Sequence, residues 1–148
     1  MEFKIGPKSY EIKFNYNAMF KANKEYSDID KAGNSMNNGA ANLFMRLISN
    51  DDTVLFDILK LYVDKKVTDE RVLDAVDALT DGGKKIDEIH TELVEELKNS
   101  GFFSRAIESY KKTIEDGLEM LKKKDQTEDN ENNIMAVERQ LTLLNENL

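Results

Sequence analysis

The sequence contains no cysteine and only one histidine in 148 residues. Without cysteine there is no disulfide, no Cys-ligated zinc and no thiol nucleophile, a usage that fits a reducing cytosol. One histidine, His90, sits three residues after Asp87. Di-iron helical bundles need two Glu-x-x-His motifs and further glutamates, so this pair cannot build such a site. It reads as a surface pair, or as a ring at the boundary of the core. No apolar run approaches the ~20 residues of a membrane span, and the N-terminus has no apolar signal core. Glycine-rich phosphate loops, nucleophile elbows and internal repeats are also missing. These absences predict a soluble intracellular protein that uses neither thiol nor metal chemistry and requires no cofactor.

Charge is present in excess, and it is unevenly placed. The net charge is −8, yet residues 1–50 carry seven basic and five acidic side chains, while residues 51–100 carry seven and fourteen. Phosphate-backbone binding needs clustered Lys and Arg, so nucleic acid is not an expected partner. Lys122-Lys123-Lys124 is flanked by acids and placed at a helix C-terminus, where cations complement the dipole. The carboxylates Asp74, Asp77 and Asp81, and Glu88, Glu92, Glu95 and Glu96, line polar helix faces rather than a catalytic pair.

The first fourteen residues, MEFKIGPKSYEIKF, alternate apolar and polar at period two: Phe3 and Ile5, then Tyr10, Ile12 and Phe14. With turn residues Gly6-Pro7-Lys8-Ser9 between the runs, this predicts a β-hairpin. Two strands are marginal alone, so helices over 16–26 and 40–65 are the expected cover. Asn15 or Asn17 caps the first helix, whose apolar face reads as Tyr16, Met19, Phe20 and Tyr26. Residues 27–39 carry no apolar periodicity and read as a long loop. Asp28-x-Asp30-x-x-Gly33 within it resembles the start of a calcium loop. Positions 5 and 12 of such a loop would fall on Ala32 and Gly39, which offer no side-chain oxygen, so the segment reads as a solvated acidic loop.

Helices are then expected over 40–49, 53–65, 69–80 (capped by Thr68, with Val72, Leu73, Val76 and Leu79 inward, ended by Gly82-Gly83), 84–99 and 103–124. The 53–65 segment is the most apolar and the expected core. Gly117 inside the sixth helix costs ~1 kcal/mol relative to Ala, marking either a weak point or a close backbone neighbour. Residues 125–133 read as a polar linker before a last helix over 134–145. Its stripe, Ile134, Val137, Leu141, Leu144 and Leu148, must dock somewhere, either on its own domain or on a partner as a helix in a groove. The expected architecture is mainly α (α+β): an N-terminal hairpin packed on a bundle of six to seven helices. It comprises one domain over 1–125, followed by a linker and amphipathic helix over 126–148.

MEFKIGPKSYEIKFNYNAMFKANKEY, the Asn/Gly-rich loop, and GAANLFMRLISNDDTVLFDILKLY resemble the tail assembly chaperones of long-tailed phages and prophages of Gram-positive bacteria. The resemblance covers about residues 1–65; beyond that the chain shares only helical, acidic character. It implies a non-enzymatic assembly factor in the host bacterial cytoplasm that is absent from the mature virion. Such a factor binds the tape measure protein and helps recruit tail tube subunits. It also leaves self-association open, and it brings no catalytic, metal or cofactor residues. A structural tail-completion or connector component, and a generic helical adaptor, are the alternative readings.

Overall fold

A computed structural model describes residues 1–148. The chain folds as β1 (Glu2–Ile5), β2 (Lys8–Glu11), α1 (Tyr16–Tyr26), α2 (Gly39–Ile48), α3 (Val54–Lys60), α4 (Asp69–Leu79), α5 (Ile86–Asn99), α6 (Gly101–Lys122) and α7 (Glu128–Glu146). It is a mainly α protein with a small antiparallel sheet. The turn between the strands is tighter than four residues: only Gly6 and Pro7 lie between them. Gly6 at φ +59 followed by proline has the dihedral signs of a type II′ turn, whose twist matches that of the strands. Phe3 pairs across the ladder with Tyr10, and their rings stack with centroids 5.1 Å apart.

The cover over the hairpin differs from the expected one. β1 packs on α4 rather than on α1, α2 or α3. The exit from β2 is then pinned by residues far along the chain. Phe14 meets Phe103 edge-on, the Ser100 hydroxyl donates to the Phe14 carbonyl, and the Tyr62 hydroxyl donates to that of Lys13. Residues 1–65 are therefore not a closed packing unit, because α4 and α6 complete it.

The core runs through α2 and α3. Phe44, Val54, Leu55, Ile58 and Leu59 are completely buried, joined by Leu93 and Leu97 from α5 and Phe103 and Ile107 from α6. Burying side chains of this size contributes roughly 1.5–3 kcal/mol each. α3 stops at Lys60, short of the expected Lys65, and residues 61–68 turn to the Thr68 cap, whose oxygen accepts from the Arg71 N–H. On α4 Val72 and Ala75 are buried and Val76 and Leu79 pack half-buried against the core, while Leu73 faces solvent.

Helix ends show how sequence stops each element. α2 closes with a Schellman turn: the Asn50 N–H bonds the Leu47 carbonyl and the Asp51 N–H that of Arg46, with Asn50 at φ +58. α4 ends the same way, but Asp81 at φ +50 takes the left-handed position and Gly82-Gly83 only follow it. Ser100 ends α5 and simultaneously caps α6, its oxygen accepting from the Phe103 N–H. Gly101 thus opens α6, two residues before the expected start at 103. Gly117 has open space where a Cβ would stand, so no backbone packs close there.

Candidate partner-binding surface

α1 meets α2 through its smallest residues. Ala18 and Ala22 are the buried positions of α1, and α2 opens with Gly39, Ala40 and Ala41, all buried. A Cβ at Gly39 would lie 2.0 Å from the Ala22 carbonyl oxygen, so the two backbones approach as closely as glycine allows. The approach is secured by three bonds: Ser27 Oγ accepts from the Gly39 N–H, Asn23 Oδ1 accepts from the Ala40 N–H, and Asn42 Nδ2 donates to the Tyr26 carbonyl. This geometry turns half of the expected apolar face of α1 outward: Tyr16 and Phe20 are 56% and 57% exposed, while Met19 and Tyr26 pack half-buried against the core.

Tyr16 reaches the rim of a groove through its contact with Phe102, and Phe20 follows it one helical turn along the same face. The groove's floor is Met19, Ala41 and Ala106, and its far wall is the first three turns of α6, from Phe102 to Thr113. Met36, Asn37 and Asn38 close one end of a cavity of about 470 Å³. Phe102 is 47% exposed and Met36 53% exposed, and the Phe102 ring sits edge-on to Tyr16 at 5.1 Å. Large apolar side chains left in water around a concave surface mark an interaction site. Methionines at its floor and end are adaptable contacts that accommodate more than one shape. Among the lining residues Arg105 is the one charged group, and no carboxylate enters, although the chain has 29 acidic residues.

Tyr110 divides this groove from a second, more polar cleft of about 620 Å³ between α2 and α7. Its hydroxyl accepts a bond from Gln140 Nε2 at 3.0 Å. Burial pushes that hydroxyl above its ordinary pKa, with the Gln140 bond acting in the other direction, so it stays a neutral phenol. Arg46 closes the cleft's other side. It donates to Asp51 at 2.7 Å, to Asp57 at 2.5 Å and to Thr53 at 2.9 Å, joining α2 to α3.

The segment 27–38 is ordered by its own side chains. Ile29 bridges Ser35, Asp30 accepts from the Ala32 and Asn34 N–H groups, and Asp28 exchanges bonds with Asn38. Both carboxylates of the calcium-like motif are therefore committed to shaping a miniature hairpin that presents Met36 to the groove. His90 is buried rather than paired with Asp87. Its Nε2 faces Asp52 at 3.7 Å and has no hydrogen-bond partner.

The C-terminal stripe lies against its own domain. Leu144 is completely buried, Ile134, Val137 and Leu141 are half-buried, and Leu148 is 40% exposed beyond the end of the helix. α7 is longer than the apolar periodicity indicates: Thr127 caps it, accepting from the Asn130 N–H, and most of the expected linker is helix.

The groove joins Met19 of α1, with Tyr16 at its rim, to Phe102 and Tyr110 of α6, more than eighty residues away in sequence. The signal available beforehand was Ala18 and Ala22 at i, i+4 on a helix that also carries large aromatics. Such alanines mark the face that meets another backbone.

No helix is long and apolar enough to cross a membrane. The family model described as "Phage tail assembly chaperone protein, TAC" matches residues 2–112, well over half the chain. The match runs past residue 65 and takes in nearly every residue lining the groove. No curated protein and no solved structure matches the chain.

Proposed function

We propose, from the premise that the chain belongs to the phage tail assembly chaperone family, that it binds the tape measure protein, keeps it soluble and helps recruit tail tube subunits to it. It acts in the host bacterial cytoplasm, catalyses no reaction, and leaves before the virion is complete. The family match carries this reading. The groove between α1 and α6 is the surface that suits it. A tape measure protein is long and largely helical, and an isolated amphipathic helix must cover its apolar stripe. The occupant is such a helix, seating apolar side chains among Met19, Phe20, Met36 and Phe102. The groove's lone charge, Arg105, favours a client helix with carboxylates at its margin, in contrast to the acidic remainder of the protein.

Co-expression with the tape measure protein of the same phage tests both parts. The wild-type chain should keep the client in the soluble fraction and co-purify with it. Phe20→Asp and Phe102→Asp should abolish both effects, whereas Leu73→Asp, an equally exposed position on α4, should not. A client that stays insoluble with the wild type would overturn the function. Undiminished capture by the two groove variants would overturn the site. Stoichiometric presence of the protein in purified virions would favour a structural tail component instead.

A further inference from the structure

No left-handed residue closes the reversal between α6 and α7; the Thr127 cap is what starts α7. Lys123-Lys124-Asp125-Gln126-Thr127 contains neither glycine nor proline, and none of the five residues has a positive φ. Lys123 still has helical dihedrals, φ −84 and ψ −12. The reversals after α2 and α4, in contrast, are closed by Schellman turns through left-handed Asn50 and Asp81. Side-chain bonds within the α6–α7 hinge are local and exposed: Gln126 donates to the Lys122 and Lys124 carbonyls, and Asn130 to that of Asp125. None of the five is a helix breaker, so the same residues can continue as helix once the Thr127 cap is given up. Straightened, α6 and α7 would form one rod on the order of 70 Å long at 1.5 Å per residue.

What α7 covers cannot be left bare. Ile107, Ile114 and Leu118 of α6 are nearly or completely buried, and α7 lies along that helix and the adjoining part of α2, touching no other element. Its own attachment is modest. It buries one residue fully, Leu144, makes one hydrogen bond to α6 through Gln140, and forms one exposed ion pair, Glu138 with Lys122. Every one of these contacts can be made identically by the α7 of another copy, because the receiving surface is the same.

We propose that α7 is exchanged between two copies of this chain. The rods of the two copies lie antiparallel, with α7 of each on the α6–α2 seam of the other, and the twofold axis passes through the hinge. Ile134, Val137, Leu141 and Leu144 then become intermolecular contacts. The crossing is electrostatically matched. Around the axis, Lys122, Lys123 and Lys124 of one copy lie opposite Glu128, Asp129 and Glu131 of the other. The continuous helix also gains the i, i+4 pair Lys124 and Glu128. This exchange is independent of what fills the α1–α6 groove.

The absence of cysteine allows a clean test. Tyr110→Cys and Gln140→Cys are made in separate chains, refolded together at high concentration and treated with a short bismaleimide. Exchange predicts a covalent dimer carrying the 110–140 cross-link by mass spectrometry. In the doubly substituted chain the same link should appear between molecules in the dimer fraction. A second arm deletes Lys124–Gln126, which prevents the reversal and should raise the dimer share several-fold in light scattering. Gly-Gly in place of Asp125-Gln126 should lower it. No 110–140 link between separate chains, or a dimer in which the link stays within one chain, would overturn the proposal. Because the first arm keeps the native hinge, it decides the matter even if the deletion variant does not fold.

Discussion

Replacing Gly39 with alanine should destabilise the protein, although alanine is the better helix former. The added Cβ would lie 2.0 Å from the Ala22 carbonyl oxygen, 2.7 Å from the Ala22 carbonyl carbon and 2.9 Å from the Asn23 Cα. All three are backbone atoms of α1, so no flexible side chain can swing away. Relief requires α1 and α2 to separate by an ångström or so. That loosens the fully buried Ala22 and Ala40 and stretches the bonds from Ser27, Asn23 and Asn42 that tie the pair. Overpacking of this kind costs about 1–3 kcal/mol, and each weakened hydrogen bond costs about 1 kcal/mol more. The alanine returns at most ~1 kcal/mol in helix propensity. The net expectation is a loss of about 3–5 kcal/mol, or a fall in Tm of roughly 6–20 °C for a domain of this size. Thermal and urea unfolding followed by far-UV circular dichroism measures it. Gly117→Ala is the matched control: it has open space around the new methyl group and should gain about 0.5–1 kcal/mol. Equal stability of the Gly39→Ala chain and the wild type would refute the close approach of α1 and α2, and with it the reason Tyr16 and Phe20 face outward.

Three further outcomes are expected. Leu144→Ala, at the one completely buried position of α7, should cost about 2–5 kcal/mol in denaturant unfolding, whereas Leu148→Ala, partly exposed past the helix end, should stay within about 0.5 kcal/mol of wild type. Asp51→Asn should destabilise by about 1 kcal/mol at neutral pH, a figure kept small because the carboxylate is partly solvated. The bond from Thr53, with Arg46 beside it, lowers the folded pKa of Asp51 below its ordinary 3.8. Its contribution is therefore complete above that value and lost as pH falls through the lower folded pKa, so acid unfolding curves of wild type and variant should converge only there. Phe20→Asp and Phe102→Asp, at half-exposed positions, should unfold within about 1 kcal/mol of wild type, which separates a lost partner from a lost fold.

The sequence was most legible where periodicity and burial coincide. Period-two alternation located the hairpin, and the dense apolar spacing of residues 53–65 located the core although the helix there stops at Lys60, because in both cases the apolar side is also the inner side. On α1 the two diverge. Periodicity finds Tyr16, Met19 and Phe20 as a stripe, but it cannot tell which face the neighbouring backbone selects. Ala18, Ala22 and Gly39 make that choice through a contact between α1 and α2. Periodicity was also silent over 128–133, where the first turns of α7 carry no apolar residue; there Thr127 with Glu128 and Asp129 behind it is the cap signature that marks the helix start. The groove itself joins α1, residues 36–38 and α6, and no local pattern records which distant elements share a wall. The cover of the hairpin by α4 escaped for the same reason.

The pinning of the hairpin exit by Ser100 and Phe103 also bears on biosynthesis. A ribosome adding roughly 5–20 residues per second needs about 5–20 s to travel from residue 14 to residue 103. Until then Phe14 has no α6 to meet, and until Leu79 is made β1 has no α4 to receive it, so the strand pair offers two open edges to any other nascent chain. The first-made part of the chain thus waits for helices made much later to shelter it. Its translation intermediates, rather than its finished form, are where crowding or slow elongation would first be felt.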